Sequence, residues 1–209
     1  MHTVRESNSQ VALMEQARLF GGSQSREGLE PQGFRYEANF ITHKEEGRLL
    51  EALGLLELKP FEFHGHIGNR RVTSFGLKYN FSRRAVETAS DIPAFLADLL
   101  PRVASFAHRE QDAFRQVGVN EYRAGAGIGW HKDKPEFGVV VGLSLGAPAT
   151  MRFRKPQGKT WQRVSHEVQP RSIYILSGEA RTEWEHSIPE VSDLRYSITF
   201  RTLADSLRK

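Results

Sequence analysis

Hydrophobic and polar positions alternate with a period of two through much of the second half of the chain. Arg195, Ser197, Thr199 and Arg201 fall on one side of such a segment; Tyr196, Ile198 and Phe200 fall on the other. Successive side chains of a β-strand point to opposite faces, so this pattern predicts a strand with one polar and one apolar face. Val139-Val140-Val141-Gly142-Leu143-Ser144-Leu145 is apolar and rich in β-branched residues, as a buried strand requires. The same reading places strands at about 117–123, 128–131, 138–146, 149–154, 164–168, 171–176, 184–187 and 195–202. Eight short strands separated by turns predict a double-sheet jelly roll in a mainly β (α+β) protein.

The first half reads differently. Phe34–Ile41 suggests a strand. Thr42-x-x-Glu45 is a capping-box pattern opening a helix through roughly Leu55. Asp91-Ile92-Pro93 opens a second helix running to about Phe106, with a bend at Pro101. These helices are expected to cover one sheet. The chain thus divides into a tail (1–32), a helical support with a lid-like segment (33–116) and a β core (117–204), the last two forming one domain. Within the tail a short apolar piece, Val11–Phe20, precedes a Gly- and Ser-rich linker at 21–28.

Composition narrows the class. The 209 residues contain no cysteine, which excludes disulfides and thiolate metal sites. No apolar run approaches membrane-spanning length, and the polar N-terminus lacks a signal-peptide core. A cytoplasmic monomer without a membrane partner is the expectation. Lys and Arg exceed Asp and Glu, 29 to 25, giving a formal charge of +4 that favours polyanionic partners.

The candidate chemistry lies at His131-Lys132-Asp133, His186 and Arg195. In H-x-D on a strand, both side chains point to the same side and can reach one ion. His186 is too remote in sequence to join them except from a separate strand. Two imidazoles and a carboxylate can occupy one face of iron(II) and leave the opposite positions open. Arg195, just beyond the last of these, can hold an anionic cosubstrate, because a guanidinium offers a planar fork to a carboxylate. By themselves, His131 and Asp133 also suit a half-buried histidine and a turn residue before Lys134-Pro135.

The surrounding sequence reads Asn120-Glu121-Tyr122-Arg123-Ala124-Gly125-Ala126-Gly127-Ile128-Gly129-Trp130-His131-Lys132-Asp133, and later Arg195-Tyr196-Ser197-Ile198-Thr199-Phe200-Arg201. From about Gly118 to Thr202 the chain resembles the AlkB family of Fe(II)/2-oxoglutarate-dependent dioxygenases, whose motifs are N-x-Y-x-x-G-x-x-I-x-x-H-x-D, a distal His and R-x-N-x-T-F-R. Leu143-Ser144-Leu145-Gly146, Arg171-Ser172 and Gly178-Glu179-Ala180-Arg181-x-x-Trp184-x-His186 also fit. The resemblance implies a double-stranded β-helix, with Fe(II) on His131, Asp133 and His186. It implies that Arg195 pairs with the distal carboxylate of 2-oxoglutarate, while Asn120, Tyr122, Ser197 and Arg201 complete the cosubstrate pocket, with O2 as the further cosubstrate. Ser197 stands where the family usually has Asn. Pro135 stands where several members have an Asp that reads the exocyclic amine of a methylated base. Ser187 stands where Gly often follows the distal His.

Residues 61–84 interleave basic and aromatic side chains, among them Arg70, Arg71, Phe75, Lys78 and Tyr79. That mixture suits phosphate contact and base stacking, and the resemblance implies a nucleotide-recognition lid here. A β-hairpin with core aromatics and solvated arginines accounts for it equally well. His64 and His66 lack a nearby third ligand and read as lid histidines. The expected function is oxidative demethylation of N-alkylated bases in DNA or RNA. Hydroxylation of a modified tRNA nucleoside and non-enzymatic nucleic-acid binding are the alternatives, with oxidation of a protein side chain a lesser option.

Overall fold

Two antiparallel sheets face one another, and the side chains between them form the centre of the molecule. The computed structural model describes residues 30–63, 66–80, 82–83 and 85–207. All secondary structure considered below lies in one compact unit, Pro31–Lys209. The apolar piece and linker expected in the tail, and His64, lie outside the described residues.

The larger sheet has seven strands in the order β1 (Phe34–Glu37), β11 (Ile173–Leu176), β8 (Phe137–Gly146), β13 (Arg195–Leu203), β6 (Phe114–Tyr122), β3 (His66–Phe75) and β2 (Lys59–Phe63). The smaller has four: β10 (Thr160–Val168), β9 (Ala149–Gln157), β12 (Glu185–Ile188) and β7 (Ile128–His131). A separate pair joins β4 (Leu77–Asn80) and β5 (Ala85–Thr88). This is a jelly roll, a double-stranded β-helix.

Each face of the larger sheet has its own partner, and the period-two pattern assigns them. Val117, Val119, Val141, Leu143, Leu145, Ile198 and Phe200 are fully buried against helices. Those helices are α1 (His43–Gly54), α2 (Ala94–Ala97) and α3 (Leu100–Ala107), which contribute Leu49, Leu53, Leu96, Leu100 and Val103. The opposite face meets the smaller sheet through Val140, Tyr174, Leu176, Met151, Phe153 and Trp184. A further short helix, α4 (Gly178–Thr182), connects β11 to β12.

The capping box forms as the sequence requires: the Thr42 hydroxyl accepts from Glu45 N–H, and the Glu45 carboxylate accepts from Thr42 N–H at 2.7 Å. The second helix departs from expectation. It begins at Ala94, stops at Ala97 and resumes at Leu100, with Pro101 in the first turn of the new piece. Proline has no N–H and its ring crowds the carbonyl four residues back, so it belongs at a helix start and breaks a continuous one. β9 extends beyond the expected Arg154 to Gln157. Pro156 is tolerated because β12 pairs with β9 only as far as Arg154, leaving its nitrogen side free of a ladder partner.

Gly142 has a spatial duty. It lies opposite Tyr174, and a Cβ there would stand 2.2 Å from the Tyr174 Cζ. The ring therefore lies across the backbone of β8 and carries its hydroxyl toward β13. Gly142→Ala is expected to destabilise the fold by about 1–3 kcal/mol through overpacking. Urea denaturation checks this, and the loss should shrink in a Tyr174→Leu background.

Candidate active site

The register of β7 and β12 brings the two histidines together. His131 and His186 are directly opposed, so both side chains stand on one face with ring centroids 4.3 Å apart. His131 Nδ1 lies 2.8 Å from the Gly129 carbonyl, which leaves Nε2 for the cavity. Asp133 follows the end of β7, its Oδ2 3.6 Å from His186 Nε2. Its Oδ1 accepts from Arg201 Nη2 at 3.1 Å and Nε at 3.3 Å. Among the described residues no three His, Asp or Glu side chains already stand in metal-binding geometry. The triad converges pairwise, and Arg201 holds one of the two Asp133 oxygens.

The protonation states suit a cation. Burial opposes the charge on Asp133, but Arg201, His186, His131 and Arg181 outweigh it and hold the carboxyl well below its usual range. Burial, then the neighbouring His131, pushes His186 down to about 3 against the pull of Asp133. His131 is lowered chiefly by burial. Neutral imidazoles and an ionised carboxylate are the forms that bind divalent metal.

One arginine fixes the loop that carries Asp133. Arg181 of α4 donates to the backbone carbonyls of Gly138 at 2.9 Å, Phe137 at 2.6 Å and Asp133 at 3.2 Å, and also to Lys134. Five guanidinium N–H groups suit this multiple capture. In the sequence Arg181 stands only as part of the family-like stretch Gly178–His186, and its role emerges from these contacts, which join residues far apart in the chain.

The polar face of β13 lies deeper between the sheets. Arg195 is 0% exposed, and none of its three guanidinium nitrogens has a hydrogen-bond partner among the described residues. Its Cζ stands 5.1 Å from the Tyr122 ring. Register places Arg195 beside Tyr122, and Ser197 between Asn120 and Ser144. The Ser144 hydroxyl is also buried without a partner. The Tyr174 hydroxyl lies near Ser197 and within electrostatic range of Arg195, Tyr122 and Asp133. A fully buried cation with idle donors is strongly destabilising unless an anion meets it. The arrangement is a socket for a carboxylate, close to a site for a metal. Tyr174 falls in the expected strand at 171–176, and only folding reveals where its hydroxyl stands.

The lid residues divide between the two faces of β3. Arg70 lies 9% exposed on the cavity side, with Cζ 3.8 Å above the Phe61 ring. Tyr79 of β4 approaches the site through Lys134, whose Nζ is 5.1 Å from its ring, while Lys78 is exposed. Two expectations are corrected. Arg71 points to the helix side, donating to Leu58 O at 2.8 Å and to Glu121 at 3.2 Å. Phe75 packs there against the core. Strand alternation forces this: once Arg70 faces the cavity, Arg71 and Phe75 cannot. A cleft of about 580 Å³ opens near Arg71, Glu121, Arg123 and Tyr196. The Glu121 carboxylate there is already satisfied by both arginines and by the Tyr196 hydroxyl at 2.8 Å. Trp130 turns outward and stacks under Arg154 and Arg152.

Comparison with known proteins adds the following. The profile of the 2OG-Fe(II) oxygenase superfamily matches residues 33–201. The alkylated DNA repair protein ALKBH8 homolog of Arabidopsis thaliana is 29% identical over 200 residues, covering 82% of this chain and 56% of its own length. The mouse (Mus musculus) tRNA (carboxymethyluridine(34)-5-O)-methyltransferase ALKBH8 is 28% identical over 169 residues, covering 77% of this chain and 25% of its own. The chain thus spans only part of these relatives. The solved structure of OsALKBH1 superposes with a TM-score of 0.64 at 17% identity, over 83% of this chain and 98% of that one.

Two outcomes are expected. Arg195→Met should raise the stability of the metal- and cosubstrate-free protein by about 1–3 kcal/mol, because it removes unpaired buried donors. Urea denaturation measures this, and a large loss instead would mean that the guanidinium already has an internal anion. The second concerns pH. The folded value of His186, about 3, lies below its ordinary 6.5, so the unfolded chain takes the proton first. Stability of the metal-free protein should therefore fall as pH drops from about 6.5 toward 3, and His186→Asn should flatten the upper part of that decline.

Proposed function

This chain belongs to the 2OG-Fe(II) oxygenase superfamily as an AlkB-family enzyme using Fe(II), 2-oxoglutarate and O2, and from that premise we propose that it oxidatively dealkylates N-alkylated bases in DNA or RNA. The observation that carries the oxygenase chemistry at this site is the buried, unpaired guanidinium of Arg195 beside the His131–Asp133–His186 triad.

In this reading His131, Asp133 and His186 hold the iron, and Arg195 takes the distal carboxylate of 2-oxoglutarate. Asn120, Tyr122 and Ser197 line the same pocket by register. Arg201 keeps Asp133 ionised, and Arg181 holds its loop in place. Iron(II), 2-oxoglutarate and O2 supply the oxidation of a substrate C–H to C–OH, with succinate and CO2 as coproducts. The protein's part is to place that C–H, exclude water and fix the cosubstrate. On an N-methyl group the hydroxylated product is a hemiaminal, which releases formaldehyde and the free base. A base within a duplex must first be flipped out, at least cost when damaged or unpaired.

The nucleic-acid substrate is supported by the β2–β3 hairpin, which continues the larger sheet and brings Phe61 and Arg70 to the cavity, and by the net positive charge. The Arabidopsis relative is named for repair of alkylated DNA. A second reading, hydroxylation of a tRNA nucleoside, is favoured by two points. The mouse relative is named for a tRNA carboxymethyluridine, and Pro135 offers no carboxylate to a base amine. Non-enzymatic binding has no observation in its favour.

Anaerobic loading with Fe(II) and 2-oxoglutarate, then O2 and mass spectrometry of methylated DNA and tRNA pools, separates the readings. Loss of methyl groups with formaldehyde release is expected. A retained added oxygen on a tRNA nucleoside would establish the second reading. Asp133→Ala should lower turnover by at least about 100-fold, as loss of a catalytic-metal ligand does.

A further inference from the structure

Arg70 is a third buried guanidinium at the site, after Arg195 and Arg181, and no role in metal or cosubstrate binding accounts for it. It projects from β3 onto the cavity side, one strand beyond β6, and is only 9% exposed. Stacking on Phe61 holds the guanidinium plane in place. Tyr122 lies close enough to act on its charge, while Nε has no partner among the described residues. Its charge is felt by both Asp133 and His131. A rigid, largely desolvated donor with an idle N–H therefore stands within electrostatic range of the triad.

The charges around it decide what it can meet. Arg201 and Arg181 face the triad from β13 and α4, and Arg195 lies deeper. The acids facing them are Asp133, already paired with Arg201, and Glu136 behind Arg181. Iron adds positive charge, and the two carboxylates of 2-oxoglutarate are taken up by iron and Arg195. Among the described residues the acid that acts on Arg70 is Asp133, which is already paired with Arg201. A base made cationic by alkylation, as at adenine N1 or cytosine N3, would meet repulsion from it and find no carboxylate at Pro135. A neutral base with a carbonyl oxygen would instead accept the idle donor, and a guanidinium has only donors to give.

We propose that Arg70 makes this pocket selective for neutral keto bases (the uracil, thymine or guanine class) over cationic alkylated adenine and cytosine. The proposal rests on the nucleic-acid reading above and names its substrate class. Phe61 serves as the platform that fixes the guanidinium, and Arg70 is the specificity residue. A keto oxygen loses its acceptor bond when the donor is removed, whereas a cationic base gains from the same change. The ratio of the two affinities is therefore the quantity to read.

The test is binding of short labelled single strands to the anaerobic Fe(II)- and 2-oxoglutarate-loaded protein, followed by fluorescence anisotropy. The strands carry 3-methyluracil, 1-methylguanine, 1-methyladenine or 3-methylcytosine. Wild type should bind the first two at least about tenfold tighter, the worth of one charge-assisted hydrogen bond. Arg70→Gln should abolish that ratio, and Arg70→Lys should retain part of it. The wild-type ratio decides the matter even where a variant folds poorly. Equal binding, a preference for cationic bases, or an unchanged ratio in Arg70→Gln overturns the proposal and leaves the nucleic-acid reading standing. So does a variant whose defect is confined to 2-oxoglutarate affinity. If no strand binds while 2-oxoglutarate does, the nucleic-acid reading falls as well.

Discussion

A positive charge sealed between two sheets governs this structure. Arg195 is fully buried, and among the described residues none of its three guanidinium nitrogens has a partner. Desolvating a guanidinium costs several kcal/mol, and only a bound anion returns it. Much of the neighbouring geometry follows from keeping that socket open. Gly142 stays without a side chain so that the Tyr174 ring can cross β8, and Ser197 and Ser144 give the pocket hydroxyls where bulkier residues would fill it. The fold accepts a local instability to keep this cation between the sheets.

The triad is coupled to the socket through β13. Arg195 and Arg201 lie on the same face of that strand, so the strand that buries Arg195 also holds Asp133 in its charged form. The histidines come from β7 and β12, on the smaller sheet. The placing of the triad relative to Arg195 therefore depends on the spacing between the sheets. That spacing is maintained by the core around Phe153, Met151 and Trp184, and by Arg181 tying the Asp133 loop to α4.

The sequence made the strands, the capping box and the triad legible because each is a local or periodic signal. Alternation along β13 placed Arg195 and Ile198 on opposite faces before any contact was known. Other features were illegible because they depend on register. Nothing adjacent to Arg71 says that it pairs with Glu121, and nothing adjacent to Tyr174 says that its ring lies over Gly142. For the lid, interleaved charge and aromatics fitted both a base-reading surface and a packed hairpin. The structure divides them by parity, with Arg70 toward the cavity and Arg71 and Phe75 toward the helices. The break at Asp98–Leu99 was foreshadowed by Pro101, but its place was set by how the proline enters the first turn of α3.

The account turns on whether Arg195 awaits a distal carboxylate. The most direct measurement is calorimetric titration of the anaerobic Fe(II)-loaded protein with 2-oxoglutarate and with 2-oxopentanoate, which keeps the chelating end and lacks the far carboxylate. 2-Oxoglutarate should bind at least about tenfold tighter, and Arg195→Met should erase the difference. Equal affinities in the wild type would contradict the account, because the buried guanidinium would then have some other purpose.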